Sequence, residues 1–278
     1  MSTFVLVPGL WLGAWAWDEV AGPLRAAGHT VHAVSLTGLA ERSGEAGPEV
    51  GVERHVTDLT DLMTREDLWD VVLVAHSGAA VPVTGAADRM PERIRRVVYV
   101  DSGPIPDGAA LADLWEPGYR AQMEASVVDG HRLPLPSFED FVAAGTSIDG
   151  MDEAALARFR ERATAHPFAA VTEPLRLTGG GETLPKALVS CSFPLEQVRA
   201  MIAAGHPYFA ALGGPGGSCA SWPPGTGRCS PARPTRRRCW RRSGSCHSGE
   251  ARARGRARAG GRARRPGRRA GPRRAASG

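Results

Sequence analysis

Two short runs constrain this chain more than anything else in it: Val71-Val72-Leu73-Val74-Ala75 and Val97-Val98-Tyr99-Val100. They are continuously apolar and nearly all β-branched, too short for buried helices, and they lack the alternation of a half-exposed strand. Such runs read as strands covered on both faces, the condition of a parallel sheet lying between layers of helices. Phe4–Val7, closed by Pro8-Gly9, is a third such run, and Thr30–Leu36 alternates. Helical patterns lie between them: Asp18–Ala27 ended by Gly28, Val52–Thr64, and Ala79–Arg89 ended near Pro91. Strands alternating with helices predict βαβ units and an α/β chain with a doubly wound, mostly parallel sheet. Residues 1–106 form the first part of that core.

Residues 107–178 change character. Pro117, Pro134, Pro136, Gly145 and Pro167 break them into short helical pieces. Asp152–Ala165 is the clearest helix, with Ala155, Leu156, Phe159 and Ala163 on one face. A helical block inserted over a sheet edge predicts a lid. Lys186–Ser192 returns to the sheet and a helix follows from Pro194 to about Ala204, so 179–215 complete the core. From Gly216 to Gly278 the sequence is Arg, Ala, Gly, Pro and Ser without apolar period, the composition of a disordered tail.

Charge divides at the same place. Residues 216–278 hold 18 Arg, no Lys and one acid, Glu250, a net +17; residues 1–215 hold 16 basic and 28 acidic side chains, a net −12. The basic character of the whole chain therefore does not mark a nucleic-acid-binding fold. The tail can contact nucleic acid only non-specifically, through arginine charge. No run of about 18 apolar residues spans a membrane. The start, Met-Ser-Thr-Phe-Val-Leu-Val, enters a strand without a basic leader, which predicts no signal peptide. Cys191 is the one cysteine before the tail. Cys219, Cys229, Cys239 and Cys246 lie within it without Cys-x-x-Cys spacing, so no metal site is expected and a reducing, cytoplasmic compartment is.

The chemistry concentrates in Val71–Ala80, VVLVAHSGAA, where a buried strand runs through small-x-Ser-x-small directly into a helix. A nucleophile elbow has this form: the tight turn holds the serine in a strained conformation, and a bulky side chain two residues away would collide with it. Glycine is usual at those places; here Ala75 and Ala79 stand there, which meets the steric need. Ser77 is the candidate nucleophile. Phe4–Trp11 ends the first strand in a glycine turn at the same sheet edge, so the backbone N–H groups of Leu10 and Gly78 are candidate oxyanion donors.

With these residues in place the chain resembles the α/β-hydrolase superfamily. It is similar in particular to the small esterases that include plant methylesterases, hydroxynitrile lyases and pyrethroid-hydrolase-like enzymes. The matching stretches are FVLVPGLWLGAWAWDEVAGPLRAAGHTVHAVSLTGLAER, VVLVAHSGAAVPVTGAADRMPERIRRVVYVDS and HPFAAVTEPLRLTGG. Pro8 stands where the family usually has the His of a His-Gly turn, which leaves the backbone donor intact. The resemblance implies a Ser, Asp/Glu, His triad in that chain order, a helical lid, no cofactor and a small-molecule ester as substrate. The acid is Asp101, at the end of Val97–Val100, or Glu196, after the returning strand; Asp101 is the preferred candidate.

The histidine has no candidate. The family carries it after a last strand, often as Gly-His-Trp, yet His206 precedes any such strand and His247 sits in a Ser/Gly/Arg stretch. His76 adjoins the nucleophile and points away from it, while His29, His32, His55, His131 and His166 have no supporting context. The tail offers a reason. Degenerate codons for Ala220–Ser230, regrouped from the third base, permit Glu-Leu-Ala-Thr-Gly-His-Trp-Pro-Met-Phe, with Leu and Ala forced if Ser221 is AGY. Cys239–Arg242 likewise permits Val-Leu-Ala-Glu. The expectation is a reading frame lost near Gly216, with the last strand and helix missing and an esterase scaffold left impaired. The alternatives are a non-catalytic, small-ligand-binding protein on the same fold and, behind it, a nucleic-acid-binding protein that acts through its Arg-rich tail.

Overall fold

In a computed structural model the described residues are 1–221, apart from 145, 149, 193, 207 and 214–216. The core runs β1 (Thr3–Val7), α1 (Asp18–Ala26), β2 (Thr30–Ala33), α2 (Val52–Arg65), β3 (Val71–His76), α3 (Ala80–Arg89) and β4 (Ile94–Val100). An insertion follows, with α4 (Pro117–Ala125), β5 (Arg132–Leu133), α5 (Phe138–Ala143), α6 (Glu153–Arg162), β6 (His166–Pro167) and α7 (Ala169–Thr172). The chain then returns through β7 (Lys186–Ser190), α8 (Leu195–Ala203) and β8 (Ser218–Ser221).

Six strands form one sheet in the order β2-β1-β3-β4-β7-β8, every pair parallel. Side chains alternate between two cores, as the period of two along a strand requires. Val5, Val7, Leu73, Ala75, Val97 and Tyr99 pack with α2 and α3; Phe4, Leu6, Val72, Val74, Val98 and Val100 pack with α1. The apolar stripe of α2 is Val52, Val56, Leu59 and Met63 with His55 beside it, the spacing of one helix face. Gly85 lets α3 approach: a Cβ there would sit 2.6 Å from Val56 Cγ2. The order of strands turns around between β1 and β3, and at such a switch point the carboxyl ends of neighbouring strands open a crevice.

Among the described residues β2 has no partner strand on its outer side. An unpaired edge is a template for association. Arg25 Nη2 donates to Val31 O of that strand at 2.8 Å, and Arg42 Nη1 to Ser35 O, just beyond its end, at 3.3 Å.

One expectation is corrected here. The last strand was expected to be missing, yet β8 pairs along β7 from Ala187 opposite Ser218 to Ser190 opposite Ser221. Sheet pairing is made by backbone N–H and C=O groups, so a short segment without apolar period can still add a strand. The helix expected to be missing after it, and the rest of the tail, lie outside the described residues. No described helix is long and apolar enough to cross a membrane.

The insertion is fastened by aromatic rings. Phe138 and Phe159 stack at 5.5 Å between centroids, Phe141 meets the edge of Trp11 at 5.4 Å, and Trp15 lies 6.5 Å from Phe159. The helices α5 and α6 begin at side-chain caps: Ser137 accepts from Asp140 N–H and Asp152 from Ala155 N–H.

Candidate active site

Among the described residues, seven other than glycine have positive φ; two of them line one crevice, Ser77 at 51° and Asp101 at 51°, and a third, Trp11 at 64°, follows the wall residue Leu10. Left-handed backbone costs such residues on the order of 1–3 kcal/mol each and persists only where surroundings enforce it. Ser77 follows β3 directly and opens the short helical turn Ser77–Ala79 that leads into α3. Gly78 has no room for a side chain, because a Cβ would lie 2.7 Å from Leu10 Cδ2. At Gly9 a Cβ would lie 3.0 Å from both Ser77 Cβ and His76 Nδ1. These two glycines let the β1 turn and the β3 turn close on one another.

The crevice is a cavity of about 320 Å³ whose walls include Leu10, Ser77, Gly78 and Asp101. The structure thus brings together four of the five candidate residues, Glu196 being the exception. Gly78 stands at the start of a helical turn, where the first N–H groups have no partner within the helix. The β1 turn closes through Leu12 N–H to Gly9 O at 3.3 Å, a bond that does not use the Leu10 N–H.

Asp101 leaves β4 and turns toward the end of β7. Its Oδ1 accepts from the N–H groups of Cys191 (2.9 Å) and Ser192 (2.8 Å), and its Oδ2 accepts from the Ser192 hydroxyl. Three donors hold the carboxylate at the place where the returning strand ends. Glu196, the other candidate acid, is exposed in the first turn of α8 and does not line the cavity.

The remaining wall comes in part from the insertion expected over the sheet edge and in part from a loop that was not foreseen. Leu111, Leu114 and Trp115 come from the insertion; His206, Tyr208 and Phe209 come from the loop after α8. The sequence reading gave His206 no role, and the structure sets it at the cavity. Gly205, at φ 68°, ends α8 in a left-handed turn that swings His206 across, with His206 N–H bonded to Met201 O at 2.9 Å. The Nδ1 of His206 accepts from Tyr208 N–H at 3.3 Å. In the neutral ring that leaves the proton on Nε2. Ser102 binds both sides: its hydroxyl donates to Ser77 O at 2.8 Å and lies 2.8 Å from the Tyr208 hydroxyl. Since Ser102 has one proton and spends it on Ser77, Tyr208 is the donor of that pair.

His76 turns away from the cavity, as expected, toward Gly9 and the edge of Trp17. Burial pushes its pKa down to about 4, against the pull of Asp101, and its Nδ1 has no hydrogen-bond partner. His55 and His166 are buried together, rings edge to face at 5.7 Å, both held neutral first by loss of water. His247 lies outside the described residues.

A larger cleft of about 640 Å³ runs along β2 and is lined in part by Arg25, Arg42, Arg54 and Asp58. Its charges are already matched, with Asp58 3.3 Å from both Arg42 and Arg54, and Glu45 on Arg42. No group of three or more His, Cys, Asp or Glu among the described residues could hold a metal ion.

Comparison with known proteins agrees with this geometry. Residues 4–227 match the alpha/beta hydrolase family. The chain is 31% identical over 195 residues to a carbendazim hydrolyzing esterase from Nocardioides sp. (strain SG-4G), covering 66% of this chain and 77% of the relative. It is 36% identical over 113 residues to methyl jasmonate esterase 1 of Vitis vinifera, a match spanning 37% of this chain and only 41% of the relative. Among solved structures, an extracellular alpha/beta-hydrolase from a Paenibacillus species superposes with a TM-score of 0.67 at 25% identity, over 80% of this chain and 90% of that one. A pyrethroid hydrolase superposes with a TM-score of 0.60 at 18% identity, over 80% and 89%, a likeness of fold. With the parallel sheet, the strained serine after its third strand and the family match over most of its length, this chain belongs to the α/β-hydrolase family, among its small esterases.

Proposed function

We propose that this chain is the scaffold of a serine esterase for a carboxylic ester of modest size, with Ser77 as nucleophile and Asp101 as the acid of the triad. The observation that carries this reading is Ser77 itself: a non-glycine residue at φ 51° on the end of a buried strand, facing a cavity with the Gly9–Leu10 turn opposite. Ser77 Oγ attacks the ester carbonyl, and the oxygen that gains charge lies between the N–H groups of Leu10 and Gly78. The Ser77 proton passes to a general base and on to the alcohol as the ester C–O bond breaks. Water, giving its own proton to that base, then releases the acid from Ser77. A cavity of about 320 Å³ sits at the small end of ligand sites and suits a compact ester. The esterase names of the relatives support the same reaction class. The block 107–178, which supplies Leu111, Leu114 and Trp115 to the wall, acts as the lid.

The step that this chain performs poorly is removal of the serine proton. A general base needs an unprotonated ring nitrogen turned to Ser77. His206 spends its free Nδ1 on Tyr208 N–H and presents Nε2–H, a donor. On this reading the base lay beyond Ser221, in the frame lost near Gly216. That same hydrogen bond favours a second reading, a ligand-binding hydrolase fold in which His206 donates to a bound carbonyl.

A fluorophosphonate probe separates the two. Expected is slow labelling confined to Ser77 and abolished in Ser77→Ala, as located by peptide mass spectrometry. Binding of esters without any phosphonylation of Ser77 would favour the second reading. Labelling that persists in Ser77→Ala would overturn the assignment of the nucleophile.

A further inference from the structure

We infer that His166, on the insertion and outside the cavity lining, is a positioning residue that holds the oxyanion turn in place. The inference rests on the reading of Leu10 N–H as an oxyanion donor. Trp11 follows Leu10 and carries φ 64°, a conformation foreign to a bulky side chain. Something must hold it there, and the structure shows what does. His166 Nδ1 accepts the Trp11 N–H at 3.3 Å, both groups buried. Thr164 N–H donates to Trp11 O at 3.0 Å, and Trp11 Nε1 donates to Leu133 O at 3.0 Å. Both faces of one strained residue and its indole are thus bonded to the segment around the β5–β6 pair, more than a hundred residues away in sequence.

Of these three bonds, the one from His166 alone depends on a replaceable side chain of the insertion. It also has a second effect. An N–H bonded to His166 is turned away from the cavity, so Leu10 and not Trp11 is left to face the developing oxyanion. The ring is locked in turn. His55 packs edge-on at 5.7 Å, and His55 Nε2 donates to Thr37 O at 2.9 Å. Because both rings are buried and neutral, the acceptor nitrogen of His166 stays available at physiological pH.

The test uses three variants of the full chain. In His166→Asn the amide Oδ1 falls where Nδ1 sits and can accept the same N–H. In His166→Gln the oxygen lies one bond further out, and in His166→Phe no acceptor exists. Amide hydrogen exchange over Gly9–Leu12 is read first, because it needs no turnover. Expected is exchange at least about tenfold faster in His166→Phe and His166→Gln, close to the parent in His166→Asn, with Val71–His76 unchanged in all three. The rate of phosphonate labelling of Ser77 is read second. The maximal rate should fall about ten- to a hundredfold in His166→Phe, below the 10²–10³ of losing an oxyanion donor outright, with half-saturation within about twofold and recovery in His166→Asn. Unchanged exchange at Gly9–Leu12 overturns the inference, as does a His166→Phe protein that labels at the parent rate. Uniformly faster exchange across the core, including Val71–His76, reduces His166 to a packing residue and overturns it too. A parent chain that is never labelled counts against the serine-esterase reading, and the exchange measurement then still decides on His166.

Discussion

Restoring one base within the codons for Ala211–Ser230 is expected to raise ester turnover by roughly four to six orders of magnitude. In a triad enzyme the histidine takes the serine proton, and removing it costs about a millionfold in the well-studied subtilisin case. What remains without it is the oxyanion hole and substrate binding, which on their own retain about 10³–10⁴ over water. The donors that we propose for this remainder, Leu10 and Gly78, line the cavity beside the strained Ser77, and Asp101 is fixed by Cys191 and Ser192. The shifted frame that we propose permits a Gly-His-Trp turn in the residues that follow Ser221. The measurement is turnover of p-nitrophenyl acetate by the written chain and by the frame-restored chain, after resequencing the gene. Equal turnover would show that the written chain already holds its base and would reopen His206 as that base.

The second large effect is on stability. Unfolding should become markedly easier as pH falls from 6.5 toward 4, with the part above about pH 5 largely clear of carboxylate titration. The sign follows from proton binding. His76 titrates near 6.5 when unfolded and near 4 when folded, so in that window the unfolded state binds the extra proton. Stability is complete above pH 6.5 and is lost as pH falls toward 4. A shift of this size corresponds to about 3 kcal/mol, and partial exposure of the ring trims it to roughly 2. His55 and His166 are more deeply buried, shifted in the same direction, and add to the loss. Against the 5–15 kcal/mol of a typical domain this is a large fraction. Urea unfolding at pH 7.5, 6 and 5 checks it. In His76→Leu, which forfeits no bond at Nδ1, the dependence should be shallower by about that amount. A parallel pH profile in His76→Leu would remove His76 as a cause.

Most of the core was legible because its signals are local. Val71–Ala75 became β3 through His76, Val97–Val100 became β4 with three more residues at its start, and Asp18–Ala27 became α1 to within one residue. The strand read over Thr30–Leu36 stops at Ala33. Beyond it Ser35 turns inward to accept Ala14 N–H at 2.8 Å, a bond to a residue that periodicity along the strand does not reveal. Ser77 could be found because strand, turn and helix adjoin in the chain. The contacts of Trp11 with His166 and of Ser102 with Tyr208 span 155 and 106 residues, and no spacing rule connects such partners. A single signal pointed to the wall after α8: Gly205, at the end of a helical pattern, is a left-handed stop that turns the next residues back toward the sheet. Pairing of β8 was missed for a different reason, since it depends on backbone alone.

The grip of the insertion on Trp11 bears on how such enzymes can be recombined. Substrate range in this fold invites exchange of the segment 107–178 between relatives, with the sheet treated as a fixed chassis. In this chain the natural cut does not fall at those boundaries. Residues 9–16 bond to and stack on Leu133, Phe141, Phe159, Thr164 and His166. A transplanted segment that arrives without its matching turn inherits an unsupported left-handed tryptophan, so chimeras should carry 9–16 and 107–178 together as one module.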